Sequence, residues 1–371
     1  MSAATRGADA GGAPSVLITG GAGFVGTNLA KHLLAKGADV RILDSLARPG
    51  SEENIEWLLD RFAGRVRFTQ ADICDPAAVA AAVADVDHVF HLAAQVAVTT
   101  SLIAPRADFE INAAGTLNLL EAARACERPP SIVFTSTNKV YGVLPDVEVT
   151  AEGQRYVPVD ERLRAGGISE ARPLDFHSPY GCSKGAADQY VLDYSRSFGL
   201  HTVVLRMSCI YGPHQHGNED QGWVAHFVRC ALADRPITIY GDGRQVRDVL
   251  YVDDLVDAFE RTWANVRELS GRAFNIGGGV ANTVSVLELL ELIGRLTGNR
   301  PRITFDSWRV GDQRYYVSDI ARFRSATHWQ PRTQLSRGLS ALCEWFDKSQ
   351  PAFAFERRAE LGAGSTMSAQ V

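Results

Sequence analysis

Thr19-Gly20-Gly21-Ala22-Gly23-Phe24-Val25-Gly26 decides how the chain begins to fold. It follows a short apolar run, Val16-Leu17-Ile18-Thr19. It opens a segment, Phe24 to Ala35, in which Val25, Leu29, Leu33 and Leu34 recur at helical spacing. A second apolar run, Asp39 to Leu43, comes next, so the pattern strand, helix, strand is complete by residue 43. Gly20, Gly23 and Gly26 stand three apart, and Gly21 adds the offset GxGxxG. Residues without side chains let a loop turn tightly and let its backbone approach a pyrophosphate. The helix beyond offers unpaired N–H groups and the positive end of its dipole.

Outward from this loop the alternation continues. Val66-Arg67-Phe68 reads as a strand, Pro76 to Val83 as a helix and Val86 to Leu92 as a strand. Asn112 to Ala125 then reads as a helix and Ser131 to Ser136 as a strand. Pro179 to Phe198 is a long helix pattern, and His201 to Arg206 a further strand. Such alternation predicts an α/β fold, a Rossmann-like doubly wound parallel sheet. Beyond about Ile210 the rhythm loosens into short strands (Ile237 to Tyr240) and helices (Thr283 to Thr297), which predicts a smaller C-terminal lobe.

Composition bounds the possibilities. The 371 residues are 46% hydrophobic and 22% charged, the make-up of a globular chain with a sizeable core. Lys and Arg number 38 against 43 Asp and Glu, a net charge of −5, which argues against nucleic-acid or anionic-membrane partners. Cys74, Cys126, Cys182, Cys209, Cys230 and Cys343 form no CxxC pair and no zinc spacing with histidine, so reduced cysteines, a cytoplasmic setting and no metal are expected. Residues 1–14 carry no long apolar run and read as a disordered start, and 351–371 as a flexible tail.

Asp44, beside Ser45 at the end of the second strand, is placed to accept hydrogen bonds from a ribose 2′-hydroxyl and to repel a 2′-phosphate. This favours NAD, although Arg48 nearby leaves NADP open. Asp72-Ile73 and His91-Leu92-Ala93-Ala94 follow the next two strands, where loops touch a bound dinucleotide. Asp72 serves equally well as a helix cap and His91 as a satisfied core histidine. Tyr180 and Lys184, four apart on one helix, project from the same face. A buried ammonium beside a phenol lowers the phenol's pKa and makes a base usable near neutral pH. Thr137 ends an earlier strand and can hydrogen-bond the substrate oxygen that Tyr180 deprotonates.

Taken with Thr137, the glycine loop and Tyr180-Gly181-Cys182-Ser183-Lys184 resemble the extended short-chain dehydrogenase/reductases that act on nucleotide sugars. The likeness runs from about Val16 to Phe346 and includes Leu205-Arg206, Tyr211-Gly212-Pro213, Gly241 to Asp248 and Phe274 to Gly278. It implies tightly held NAD that is reduced and reoxidised within one turnover, with Tyr180 as general base, Lys184 as its electrostatic partner and Thr137 as third member. It implies a cofactor set of Gly20, Gly23, Phe24, Val25, Gly26, Asp44, Ser45, Asp72, Ile73, Leu92, Ala93, Ala94, Gln95, Asn112 and Ser136 with Tyr180 and Lys184. The expected division is 15–208 for the cofactor and catalytic residues and 209–350 mainly for the nucleotide sugar, some segments returning to the sheet. A homodimer or homotetramer, packed through Thr116 to Ala125 and Gly181 to Ser197, is also implied.

Dehydratases of this family carry an acid–base pair, usually Asp-Glu, directly after the catalytic threonine. Here Asn138-Lys139 stands there, which disfavours elimination and leaves epimerisation. Gln95 to Ser101, Ser136 to Gly142, Leu174 to Tyr190 and Asp220-Gln221-Gly222-Trp223 resemble the CDP-tyvelose (CDP-paratose) 2-epimerase subfamily. The insert between Glu152 and Pro173 is long, as in that subfamily, and is expected to cover the substrate. Arg247 and Arg309 stand where related epimerases hold the diphosphate. Gln95, Thr137, Asn138 and His177 are expected at the sugar, and Cys209 replaces an asparagine that contacts the nucleotide in many relatives. Alternatives are inversion at C4 or another carbon of a UDP- or GDP-sugar, decarboxylation or dehydration of a nucleotide sugar, and a non-catalytic dinucleotide-binding regulator.

Overall fold

A computed structural model describes residues 13–349; the remaining residues, including the 351–371 segment and all but two of 1–14, lie outside the described part. Seven strands form the central sheet in the order Arg272–Ile276, Thr202–Met207, Ser131–Thr137, His88–His91, Ser15–Thr19, Asp39–Asp44, Val66–Gln70. Every neighbouring pair is parallel. Parallel strands are covered on both faces, which is why the inner ones are continuous apolar runs. Successive side chains alternate between faces: Val16 and Ile18 join one core cluster, while Leu17 joins the other. The edge strand Val66–Gln70 keeps polar residues outward, as an unpaired edge requires.

On one face lie the helices Phe24–Ala35 and Val252–Ala264, and on the other Pro76–Val83, Gly115–Ala125 and Ser178–Phe198. Leu29, Leu33 and Leu34, the helical repeat in the sequence, are buried together; burying one such side chain stabilises the fold by about 1.5–3 kcal/mol. The chain leaves Ser15–Thr19 toward Asp39–Asp44 on one side and returns to His88–His91 on the other. The crevice at this reversal opens beyond the carboxyl ends of the strands, where ligands of such sheets bind.

One helix departs from its expected start. Its region begins at Pro105, passes through a π turn, Glu110–Ala114, and continues as Gly115–Ala125. The wide turn breaks the 3.6-residue period from which the boundary at Asn112 is read. The segment from Thr283 likewise divides into a strand, Thr283–Ser285, and a helix, Val286–Thr297. Ser285 Oγ accepts from Glu288 N (3.1 Å) and Glu288 Oε2 from Ser285 N (2.9 Å), a reciprocal cap that fixes the junction. Trp223–Leu232, Val286–Thr297 and Leu335–Ser349 pack as a separate apolar cluster at the cleft's far side. Arg272–Ile276 crosses back to become the sheet's outermost strand. Among the described residues no helix is long and apolar enough to cross a membrane.

Candidate active site

The strand ends enclose a cleft of about 930 Å³. Its cofactor side is made of backbone. Gly20 takes φ +72°, and a Cβ there would lie 2.6 Å from Ala93 N. A Cβ on Gly26 would lie 2.4 Å from Gly20 O, so only glycine lets the helix start against its own loop. That helix has no side-chain cap at Gly23, which leaves its first N–H groups to an anion in the cleft. Asp44 spends both oxygens on the loops: Oδ2 accepts from Ala22 N (3.0 Å) and Oδ1 from Leu46 N (2.9 Å). Burial raises its pKa. Ser45, Asp72, Ile73, Leu92, Ala93, Ala94, Gln95 and Ser136 also line the cleft. Among the described residues the buried Ser136 Oγ and Thr99 Oγ1 have no hydrogen-bond partner, so both are free to bond a ligand in the cleft. This donor set and glycine cradle fit NAD.

Two sequence readings change here. Asn112 does not line the cleft; it is 1% exposed and sits behind it. Its side chain accepts from Gln95 N (2.9 Å) and donates to Gln95 O (3.0 Å) and Ser183 Oγ (3.0 Å), while Ser183 donates to Asp108 Oδ2 (2.5 Å). Asp108, absent from the sequence-derived set, thereby ties the Gln95 loop to the helix Ser178–Phe198. Gln95 lines the cleft, but its amide is engaged internally, with Nε2 donating to Asp108 Oδ1 (2.7 Å) and Ala97 O (2.9 Å). His91 is a satisfied core histidine, held between Thr19 Oγ1 (2.7 Å) and Thr116 Oγ1 (3.0 Å) and pushed by burial to about 3.

Thr137, Tyr180 and Lys184 meet at the centre of the cleft. The Thr137 hydroxyl donates to Asn138 Oδ1 (3.3 Å) and accepts from Lys139 N (3.2 Å), and it stands near enough to the Tyr180 phenol to lower its pKa. Lys184 Nζ donates to Thr135 O (2.7 Å) and lies 4.2 Å from the centroid of Phe134. Burial sets both groups against ionisation: it pushes the Tyr180 phenol up to about 12 and the Lys184 ammonium down to about 7, the latter resisted by Asp188 and Asp108. The lowering expected from Lys184 is not what acts on the phenol: Thr137 and the charge of Arg48 pull it down, and desolvation outweighs both. Beneath the helix Arg206 donates to both oxygens of Asp188 (2.9 Å each), a buried pair that fixes the face carrying Tyr180 and Lys184.

At the substrate end Asn138, Cys209, Arg247 and Arg309 line the cleft. Arg247 donates to Asp312 (2.6 Å), and Arg309 pairs with Asp220 (3.1 Å) and lies over Tyr240, 3.8 Å from its centroid. Cys209 Sγ accepts from Trp223 Nε1 at 3.5 Å. His177 is not part of this lining. It precedes the catalytic helix, largely exposed, and bonds Asp175 Oδ2 (2.9 Å), because Ser178 at φ +64° turns the chain into the helix there.

The insert also lies elsewhere than expected. Val149–Glu152 and Arg155–Pro158 form a hairpin, followed by the short helix Glu161–Gly166. Arg155 pairs with Glu288 (2.7 Å) and Tyr156 with Asp242 (2.6 Å), which anchors the hairpin on the C-terminal lobe away from the cleft. The segments that border the cleft instead are 218–223 and 309–312, and Gln221 reaches across to Arg48.

A family model described as the NAD dependent epimerase/dehydratase family matches residues 16–277. The chain is 44% identical to CDP-paratose 2-epimerase of Salmonella typhi over 337 residues, 89% of this chain and 98% of that protein. It is 34% identical to UDP-glucose 4-epimerase of Mycolicibacterium smegmatis, over 90% of this chain and 99% of that one. Among solved structures, UDP-glucose 4-epimerase of Thermus thermophilus in complex with NAD superposes with a TM-score of 0.75 at 32% identity, covering 90% of this chain and 99% of that one. With a glycine cradle suited to the dinucleotide and matches along most of its length, the chain belongs to the NAD dependent epimerase/dehydratase family.

Proposed function

We propose that this NAD-dependent enzyme epimerises a nucleotide sugar, inverting C2 of a CDP-hexose of the paratose/tyvelose type. One observation carries the reaction class: the strand that delivers Thr137 to Tyr180 continues into Asn138-Lys139, where elimination would need a carboxylic acid and a carboxylate. The 44% identity to a CDP-paratose 2-epimerase supports the carbon and the nucleotide.

NAD, when bound, supplies a hydride acceptor and then a donor for one carbinol carbon. Tyr180 Oη takes the hydroxyl proton as that carbon is oxidised and returns it on reduction, while Thr137 orients the oxygen and Lys184 opposes the phenolate charge. Arg247 and Arg309 hold the diphosphate while the 2-keto sugar turns over within the cleft. Proton and hydride are both given back, so no net oxidation results.

In this reading 15–208 serves the cofactor and 209–350 mainly the nucleotide sugar. Exposed Phe109, Tyr190 and Phe198 on or beside the two helices expected at a two-fold support a homodimer or homotetramer. The setting is cytoplasmic, with all six cysteines reduced.

The test is mass spectrometry of the dinucleotide released on denaturation, followed by incubation with CDP-, UDP- and GDP-hexoses under NMR. Released NAD with a CDP-hexose inverted at C2 is expected. Inversion only at C4 of a UDP- or GDP-sugar would overturn the choice of carbon and nucleotide.

A further inference from the structure

Lys139 stands two residues beyond the strand-end Thr137 and lines the cleft. Its ammonium donates to Gly311 O (3.1 Å) and lies 3.9 Å from Asp312 Oδ1. That same oxygen already accepts from Arg247 Nη2 at 2.6 Å and from Gln313 N at 3.0 Å. The charged and titratable groups facing Lys139 are Asp312, Arg247 and Cys209. Two cations therefore share one carboxylate in a largely buried corner, and a positive charge is left over.

The donor count agrees. An ammonium has three N–H donors and Lys139 uses one within hydrogen-bond distance; Arg247 has five and uses two, on Val246 O and Asp312. Burial pushes the Lys139 ammonium down to about 8, the cost of holding this charge with half a partner. Nearby, the Cys209 sulfur is already engaged by the Trp223 indole N–H at 3.5 Å.

We propose that Lys139 is a substrate-binding residue, a third cation of the diphosphate subsite that, with Arg247, holds the phosphate nearer the sugar. The inference rests on the reading of the substrate as a nucleotide diphosphate sugar. It gives Lys139 a role besides its lack of a carboxylate: it fixes the pivot about which the keto sugar turns.

The test is calorimetric titration of the NAD-loaded enzyme with CDP, UDP, CMP and cytidine, for the wild type and for Lys139→Met, Lys139→Gln and Lys139→Arg. The expected result is at least a tenfold loss of CDP affinity in Lys139→Met and Lys139→Gln, most of it regained in Lys139→Arg, with cytidine affinity changed less than twofold. Equal losses for CDP and cytidine would reduce Lys139 to a prop for its loop, and unchanged CDP binding would also overturn the proposal. Lys139→Gln keeps a donor for Gly311 and decides the matter if Lys139→Met fails to fold. If wild type binds UDP in place of CDP, the cytidine reading falls, and the same comparison made with UDP still judges Lys139.

Discussion

The two ends of the cleft are made of different materials. At the cofactor end much of the surface is backbone, from Gly20, Gly23 and Gly26, and the carboxylate that ends the second strand, Asp44, is spent on N–H groups of its own loops. At the substrate end the surface is charged side chains that hold one another: Arg247 with Asp312 at 2.6 Å, and Arg309 with Asp220 at 3.1 Å. Backbone so placed is ready before the ligand arrives and changes little when it leaves. An ion pair must open or share before an arginine can take a phosphate, and it closes again behind a departing product. The cofactor end is therefore built for a resident and the substrate end for exchange, as a reaction without net oxidation requires.

Tyr180 stands where the two ends meet, and the largest effect is expected there. Tyr180→Phe keeps the ring and its packing but removes the oxygen that the proposed mechanism has accept the proton, so kcat should fall by about 10³-fold. Dinucleotide content and melting temperature should stay at wild-type values, since Asp44 and the glycine loop are untouched. Progress curves followed by NMR, with cofactor released from the same preparation, check both halves. A loss below tenfold would mean that the proton leaves by another route.

How much of this was legible in the sequence follows the same division. The cofactor end rests on short-range geometry: glycines three apart between a strand and a helix can be read without knowing what packs above them. Tyr180 and Lys184 are legible for the same reason, one helical turn apart. The substrate end joins segments far apart in the chain, Lys139 and Arg247 to Asp312, and Asp220 to Arg309, so no local pattern marks the carboxylates. The Asp108–Asn112–Ser183 brace was hidden by the π turn, which upsets the helical period around it. The insert misled because its length argued for a lid, whereas Arg155 and Tyr156 find their partners on the C-terminal lobe.

A more selective way to break the cofactor end is Gly26→Ala. The added Cβ would meet Gly20 O at 2.4 Å and Gly21 Cα at 2.5 Å, backbone that has nowhere to go. A cost of about 1–3 kcal/mol in stability is expected, typical of overpacking. The protein should also purify with little bound NAD, read from thermal unfolding and released dinucleotide. Normal NAD content would show that the loop is less rigid than the contrast requires.

Acid should attack the same end through His91, which pins Thr19 beneath the glycine loop. Burial holds its folded-state pKa near 3, well below the ordinary 6.5. The unfolded chain therefore binds the extra proton first. The stability that neutral His91 confers is complete above about pH 6.5 and is lost as pH falls toward 3, at about 1.4 kcal/mol per pH unit. Between pH 6 and 4, urea unfolding of His91→Gln should show a slope against pH shallower by about one proton. An unchanged slope would mean that His91 does not titrate in this window.

The smallest effect belongs to the substrate end and gives the sharpest contrast. Arg309→Met keeps an apolar stem against Tyr240 while removing the charge that pairs with Asp220. One charge-assisted hydrogen bond to a phosphate is worth about 1.5 kcal/mol, so KM for the nucleotide sugar should rise about tenfold. Freed Asp220 adds a carboxylate that repels the diphosphate, so the change falls on binding rather than on the proton transfer at Tyr180. Kcat should stay within about twofold, and NAD content should not change. That is the reverse of the Gly26→Ala profile, and the two losses should add when combined, because the sites share no partner. Steady-state kinetics paired with dinucleotide release decides it: an Arg309→Met enzyme that sheds its NAD would make the two ends a single unit.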